Sequence, residues 1–142
     1  MNCGYCKDQT DYGPKPYVTN ITETASDNQN FRTAVWTGEY LQMTYMSILP
    51  CGEIGPEIHE ETDQLIRVER GEALVKIGQC ETHPDCQSYL SVGDAVFVPA
   101  GTWHNVINVG RESLKVSSIY APPHHRRGTV QPTRLDAKRE EM

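Results

Sequence analysis

Between Phe31 and Tyr120 the chain alternates short apolar runs with glycine- and proline-marked breaks, and helical spacing is scarce throughout. The runs are Phe31–Thr37, Leu41–Leu49, Gln64–Glu69, Ala73–Ile77, Ala95–Pro99, Val106–Val109 and Leu114–Tyr120, rich in β-branched and aromatic residues. Gly38, the segment PCGEIGPE, the pair Arg70-Gly71 and the pair Gly110-Arg111 supply the turns between them. Many short strands at close spacing cannot each bury a face alone. They close on one another as a sandwich or barrel, so an all-β antiparallel fold is expected. Residues 78–88, GQCETHPDCQS, read as a long hairpin tip. Residues 1–30 read as an irregular arm with a short apolar patch, Tyr17 to Ile21, that supplies an edge strand. The tail 122–142 is proline-rich and then charged, and its LDAKREEM end suits one helical turn or a frayed terminus.

A chain of 142 residues fits one domain and can bury roughly 68% of its unfolded surface, enough for a sizeable core. The formal net charge of −6 argues against nucleic acid or an anionic membrane as partner. No apolar run has the length of a membrane span, and MNCGYCKDQTDYG lacks the pattern of a secretory signal, so a cytoplasmic protein is expected. Five cysteines without an export signal do not suggest a disulfide framework. Cys3 and Cys6 form a C-x-x-C, and Cys80, His83 and Cys86 a C-x-x-H-x-x-C. Reduced surface thiols are the simplest reading, with a structural zinc site or a redox pair as the alternatives.

Two segments carry chemistry. In GEIGPEIHEETDQLIRVERG, residues 52–71, Glu57 and His59 are two apart and share a face of an extended strand, as do Gln64, Ile66 and Val68. In GDAVFVPAGTWHNVIN, residues 93–108, Pro99 and Gly101 mark a turn and His104 opens a strand with Val106 and Asn108 on its face. The second segment resembles the cupin pattern G-x5-P-x-G-x2-H-x3-N at Gly93, Pro99, Gly101, His104 and Asn108. The first resembles the pattern H-x-H-x3-4-E-x6-G, with Glu57 for the first histidine, His59 for the second, Gln64 for the glutamate and Gly71 closing it. The resemblance spans about residues 30–121. It implies a double-stranded β-helix, a jelly-roll-like barrel. It also implies one divalent metal ion held by Glu57, His59, Gln64 and His104. Such a nitrogen/oxygen set suits zinc, iron, manganese or nickel. Glu61, also two from His59, is the alternative carboxylate.

The ligand inventory is similar to that of cupin-type mannose-6-phosphate isomerases, although glutamate and glutamine are exchanged in order and those enzymes are much longer. That likeness implies a small metalloenzyme of isomerase type acting on a small polar substrate such as a sugar phosphate. Glu61 would move the proton, and Arg126 or Arg127 would hold the phosphate. The alternatives are an Fe(II)-dependent dioxygenase, favoured by an aromatic, apolar pocket, and a ligand-binding or sensing module without turnover. Trp36, Tyr45, Trp103 and Tyr120 are candidates to line the barrel mouth, whereas Phe97 reads as core. His124, His125, Arg126 and Arg127 form a basic patch after the last strand, either an anion site or a solvated tail. A homodimer is expected, with segment 17–37 as the edge that a second copy covers.

Overall fold

The structure, a computed structural model, describes residues 11–141. It is a two-sheet antiparallel barrel. Strands β1 (Arg32–Thr37), β2 (Gln42–Ile48), β3 (Asp63–Arg70), β4 (Ala73–Gly78), β5 (Cys86–Leu90), β6 (Ala95–Val98), β7 (Trp103–Asn108), β8 (Leu114–Ala121) and β9 (Val130–Gln131) follow one another along the chain. Helix α1 (Ile21–Asp27) precedes them and α2 (Arg134–Glu141) ends the chain. The six-stranded sheet runs β6-β3-β8-β2-β1-β9 and the three-stranded sheet β5-β4-β7. No helix among the described residues is long and apolar enough to cross a membrane.

Strand alternation decides what faces inward. Gln64, Ile66 and Val68 of β3 are opposite Tyr120, Ser118 and Val116 of β8, and all six are buried. From the smaller sheet, Ala73 and Val75 of β4 pair with Asn108 and Val106 of β7, while Ile77 pairs with His104. The two inner faces meet in one apolar cluster that includes Met46, Ile48, Ile66, Val68, Val75, Val106, Leu114 and Val116. This cluster fills one half of the barrel. Toward the other half the same strands place Gln42, Thr44, Gln64, Ser118, Tyr120 and His104 inside, all buried.

Several expectations are revised. Phe97 is 76% exposed, because it lies on the outer face of the edge strand β6 rather than in the core. The hairpin tip is shorter than expected, since Cys86–Leu90 pair along β4 as β5. The polar run after Tyr17 forms α1, capped by Asn20, whose Oδ1 accepts from the Glu23 N–H at 2.9 Å. With Ile21 and Ala25 one turn apart, α1 covers the outer face of the large sheet over Val35, Met43, Tyr45 and Ile119. The β1 edge, expected to await a second copy, is paired over Arg32–Thr33 by β9 of the same chain, and Ala34 N–H donates to the Thr129 carbonyl. The tail is therefore part of the packing: Ala137 of α2 joins the main apolar cluster. The C-x-x-C pair lies outside the described residues, and Cys51, Cys80 and Cys86 are free and exposed.

Candidate metal centre

The chain between β2 and β3 runs antiparallel to β7 and sets the register of the site. Ile54 N–H donates to the Val106 carbonyl, and Glu57 and His104 exchange backbone hydrogen bonds of 2.8 and 2.9 Å. Glu57 is thus directly opposite His104. The turn after β6 is clamped to the same segment. Gly101, at φ +78°, donates its N–H to the His59 carbonyl at 2.8 Å, and Ala100 N–H donates to Asp63 Oδ1 at 2.9 Å. A side chain at position 101 would be strained in that left-handed conformation, which accounts for the Pro-x-Gly spacing before His104. The motif's asparagine is structural: Asn108 Nδ2 donates to the carbonyls of Ile48 and Glu112, and its Oδ1 accepts from Gly110 N–H.

These constraints bring Glu57, His59 and His104 together, with one ligand atom of each inside a 4.8 Å span. Glu57 Oε1 is 3.6 Å from His59 Nε2 and 3.8 Å from His104 Nε2. Those separations are too long for hydrogen bonds. They are close to the roughly 3.0–3.4 Å expected between two ligands about 2.1 Å from one ion. His104 Nδ1 is 3.2 Å from the Thr102 carbonyl, a contact that places the proton on Nδ1 and leaves the Nε2 lone pair toward Glu57.

The chemistry of the donors fits a cation. His59 Nε2, His104 Nε2 and Gln64 Oε1 are buried, and among the described residues none makes a hydrogen bond. Each such atom left unpaired costs about 1–3 kcal/mol, so three together in one chamber are hard to explain by packing. Gln64 Oε1 and His104 Nε2 present lone pairs, as does His59 Nε2 when its proton is on Nδ1; His59 Nδ1, Arg32 Nε and Thr44 Oγ1 are likewise without partners among the described residues. Gln64 is anchored through its Nε2, which donates to Ser118 Oγ at 3.3 Å, and it lies directly opposite Tyr120, whose ring packs on His59. Burial alone would raise the Glu57 carboxyl. The adjacent His59 and the Arg32 guanidinium, 3.7 Å away, outweigh it and hold Glu57 below the usual carboxylate range. Burial pushes His104 down, so its ring is neutral and available near pH 7. The arrangement can hold one divalent ion, with Glu57 rather than Glu61 as the carboxylate: Glu61 is exposed and stands outside the cluster.

A cleft of about 830 Å³ opens onto this centre, lined by Arg32, Glu57, His59, Trp103, His124 and Arg126 among others. Trp103, Arg126 and Arg127 are all in its lining. Tyr120 is fully buried beneath the cleft, its ring among His59, His124 and His125. Tyr45 is instead on the opposite side of the sheet, its hydroxyl 2.6 Å from Thr24 Oγ1 under α1. Trp36 also stands away from the cleft and donates its indole N–H to the Lys15 carbonyl. Arg127 is engaged structurally, donating to the carbonyls of Asp11 and Gly13.

Three residues that sequence reasoning did not single out complete the site. Gln42 accepts from the N–H groups of His124 and His125 and donates to the His125 carbonyl, folding the loop after β8 over the mouth. Arg32 is 2% exposed, and its Nη1 donates to Gln131 Oε1 at 2.6 Å. Gln131 in turn donates to Glu140 at 3.0 Å, so a polar chain runs from α2 to Glu57. The signal in each case is a polar residue at an inward position of a strand, visible only once the register is known.

Residues 44–120 match the model of the cupin domain family. The chain is 50% identical over 127 residues to the uncharacterized protein YrkC of Bacillus subtilis, covering 89% of this chain and 68% of that protein. It is 36% identical over 115 residues to an uncharacterized protein of Acanthamoeba polyphaga mimivirus, covering 80% and 70% of the two chains. The crystal structure of the BH2720 protein of Bacillus halodurans superposes with a TM-score of 0.90 at 47% identity, over 92% of this chain and 98% of that one. With a matching family model, two cupin motifs in place and the double-stranded β-helix architecture, the chain belongs to the cupin family.

Proposed function

We propose that this cupin is a mononuclear metalloenzyme acting on a small polar molecule, with Glu57, His59, Gln64 and His104 holding one divalent ion. The observation that carries this reading is the Glu57–His59–His104 cluster, whose two imidazole Nε2 atoms are buried and unpaired. A divalent ion bound there supplies Lewis acidity to an oxygen of the bound molecule. The protein's own groups do the rest. His104 is held in one tautomer by Thr102. Gln42 keeps the His124–His125 loop over the mouth, narrowing access for water.

The cleft favours a polar substrate over an apolar one. Arginine, histidine, glutamate, glutamine and threonine side chains outnumber the apolar Pro56, Ile58 and Val130 in its lining, with Trp103 as the one aromatic besides the imidazoles. That lining supports isomerase-type chemistry on a hydroxylated molecule ahead of oxygen chemistry on an apolar one. Glu61 does not line the cleft, so the group that moves the proton is sought nearer the centre. His124 is so placed, its ring centroid 4.1 Å from that of His59 and its position on the cleft wall.

The test is the metal content of protein purified without an affinity tag, followed by assays on the loaded protein. Near one equivalent of metal with aldose–ketose interconversion supports the reading. Oxygen uptake dependent on iron would favour the dioxygenase alternative, and ligand binding without turnover the sensing one. No metal after anaerobic reconstitution would remove the metalloenzyme reading.

A further inference from the structure

Arg32, Arg126 and Arg127 line the cleft together with Glu57, Glu140 and Glu141, so its lining charges balance until a divalent ion is added. Arg32 is buried, and Glu57 is the one carboxylate that reaches it among the described residues, at 3.7 Å. A metal ion draws on that same carboxylate. A divalent ion and a guanidinium would then share the single negative charge of Glu57 in the cleft wall. Gln64 is neutral, so the surplus is positive. Buried surplus charge is expensive unless a counter-charge enters.

The outer wall supplies two further arginines, Arg126 and Arg127. Arg126 lines the same cleft, is exposed, and makes no side-chain hydrogen bond or ion pair among the described residues. Its neighbour Arg127 differs, being tied to the carbonyls of Asp11 and Gly13. Deep in the cleft Gln131 fixes Arg32 through Nη1, so the guanidinium cannot swing away to find another partner. Glu140 and Glu141, at the end of α2, also line the cleft and set an outer limit. Their charge opposes a long polyanion more than a small one.

We propose that the cleft selects a small organic anion, whose carboxylate or phosphate head group is drawn in by Arg32 and clasped at the rim by Arg126. The inference rests on the metal-centre reading above and adds the substrate's charge and the two residues that recognise it.

Calorimetric titration of the metal-loaded protein with malonate, inorganic phosphate and uncharged erythritol tests it. Malonate or phosphate is expected to bind and erythritol not to, with the better anion identifying the head group. Binding should weaken with added salt. Arg126→Ala should weaken anion binding about tenfold while leaving the metal content and the unfolding temperature unchanged. Arg32→Gln should weaken it further. Erythritol binding as well as the anions, or anion binding indifferent to Arg126→Ala, would overturn the inference even with metal fully loaded. If the protein takes up no metal, the metalloenzyme reading fails separately. The surplus that calls for an anion comes from the ion, so anion binding to the metal-free chain as tight as to the loaded one would overturn the inference too.

Discussion

The two halves of the barrel interior are built by the same strands and differ only in what those strands carry inward. On β3, β7 and β8 the inward positions change along each strand, from Val68, Val106 and Val116 to Gln64, His104 and Tyr120. One half is a closed apolar plug in which every side chain has neighbours of its own kind. The other is a chamber of polar side chains, several without partners. The plug stabilises the barrel by burial. The chamber contributes little to that and retains donors whose use depends on something that binds. Stability and function are thus divided along the strand axis.

The division can be broken most severely at the metal ligands. His104→Ala should lower bound metal to a small fraction of the parent's. It should cost the metal-free protein about 1–3 kcal/mol, for the Nδ1 bond to the Thr102 carbonyl and the packing of the buried ring, since Nε2 itself has no partner to lose. Metal analysis and urea unfolding on the same preparation check both halves of that statement. The converse substitution is in the plug. Leu114, fully buried among Ile48, Val68 and Val116, should cost about 3 kcal/mol when changed to alanine. The folded variant should still bind one equivalent of metal.

A smaller effect should come from the polar chain that reaches the centre from the tail. Gln131→Leu frees Arg32 and loosens its hold on Glu57, and should weaken metal binding about tenfold, read by cobalt titration and its visible spectrum. A variant equal to the parent would show that the tail is mere cover.

Acidity should separate the halves more gently. Burial holds the imidazoles of His104, His124 and His125 below their ordinary values, His125 down to about 2. In the unfolded chain they take up protons near pH 6.5, while in the folded chain they do not. The stability of the metal-free protein should therefore fall as pH drops below that value. Urea midpoints measured at about pH 7.5 and about pH 5.5 bracket the window. A higher midpoint at the acid end would contradict the assignment.

The least effect belongs to the rim. The Cys80 thiol, beside Thr82 and His83, is lowered to about 7. Its alkylation rate should rise through neutral pH, without changing metal content.

Much of this was legible beforehand. The seven apolar runs correspond to β1–β4 and β6–β8, because strand alternation and glycine turns are local properties. The inward sets Gln64–Ile66–Val68 and His104–Val106–Asn108 followed from the same alternation. Glu57 and Glu61 are both two residues from His59, and in the sequence only the spacing of Glu57 to Gln64 favours it; the backbone pairing of Glu57 with His104 is the structural observation on its side. Arg32, Gln42 and Gln131 could not be found that way. Arg32 and Gln131 are 99 residues apart in sequence, and only β1–β9 pairing makes them neighbours. Tyr45 was misplaced because the helix that covers it lies in a run of polar residues whose cap, Asn20, gives a weak signal alone.

The most direct test of the polar chamber is an anomalous-scattering map from crystals of the protein, recorded at the absorption edge of whichever metal it contains. A single peak about 2.0–2.2 Å from Glu57 Oε1, His59 Nε2 and His104 Nε2, with Gln64 Oε1 completing the shell, is the predicted result. A peak elsewhere, such as at Cys80 and His83, or none in crystals grown with added metal, would contradict it.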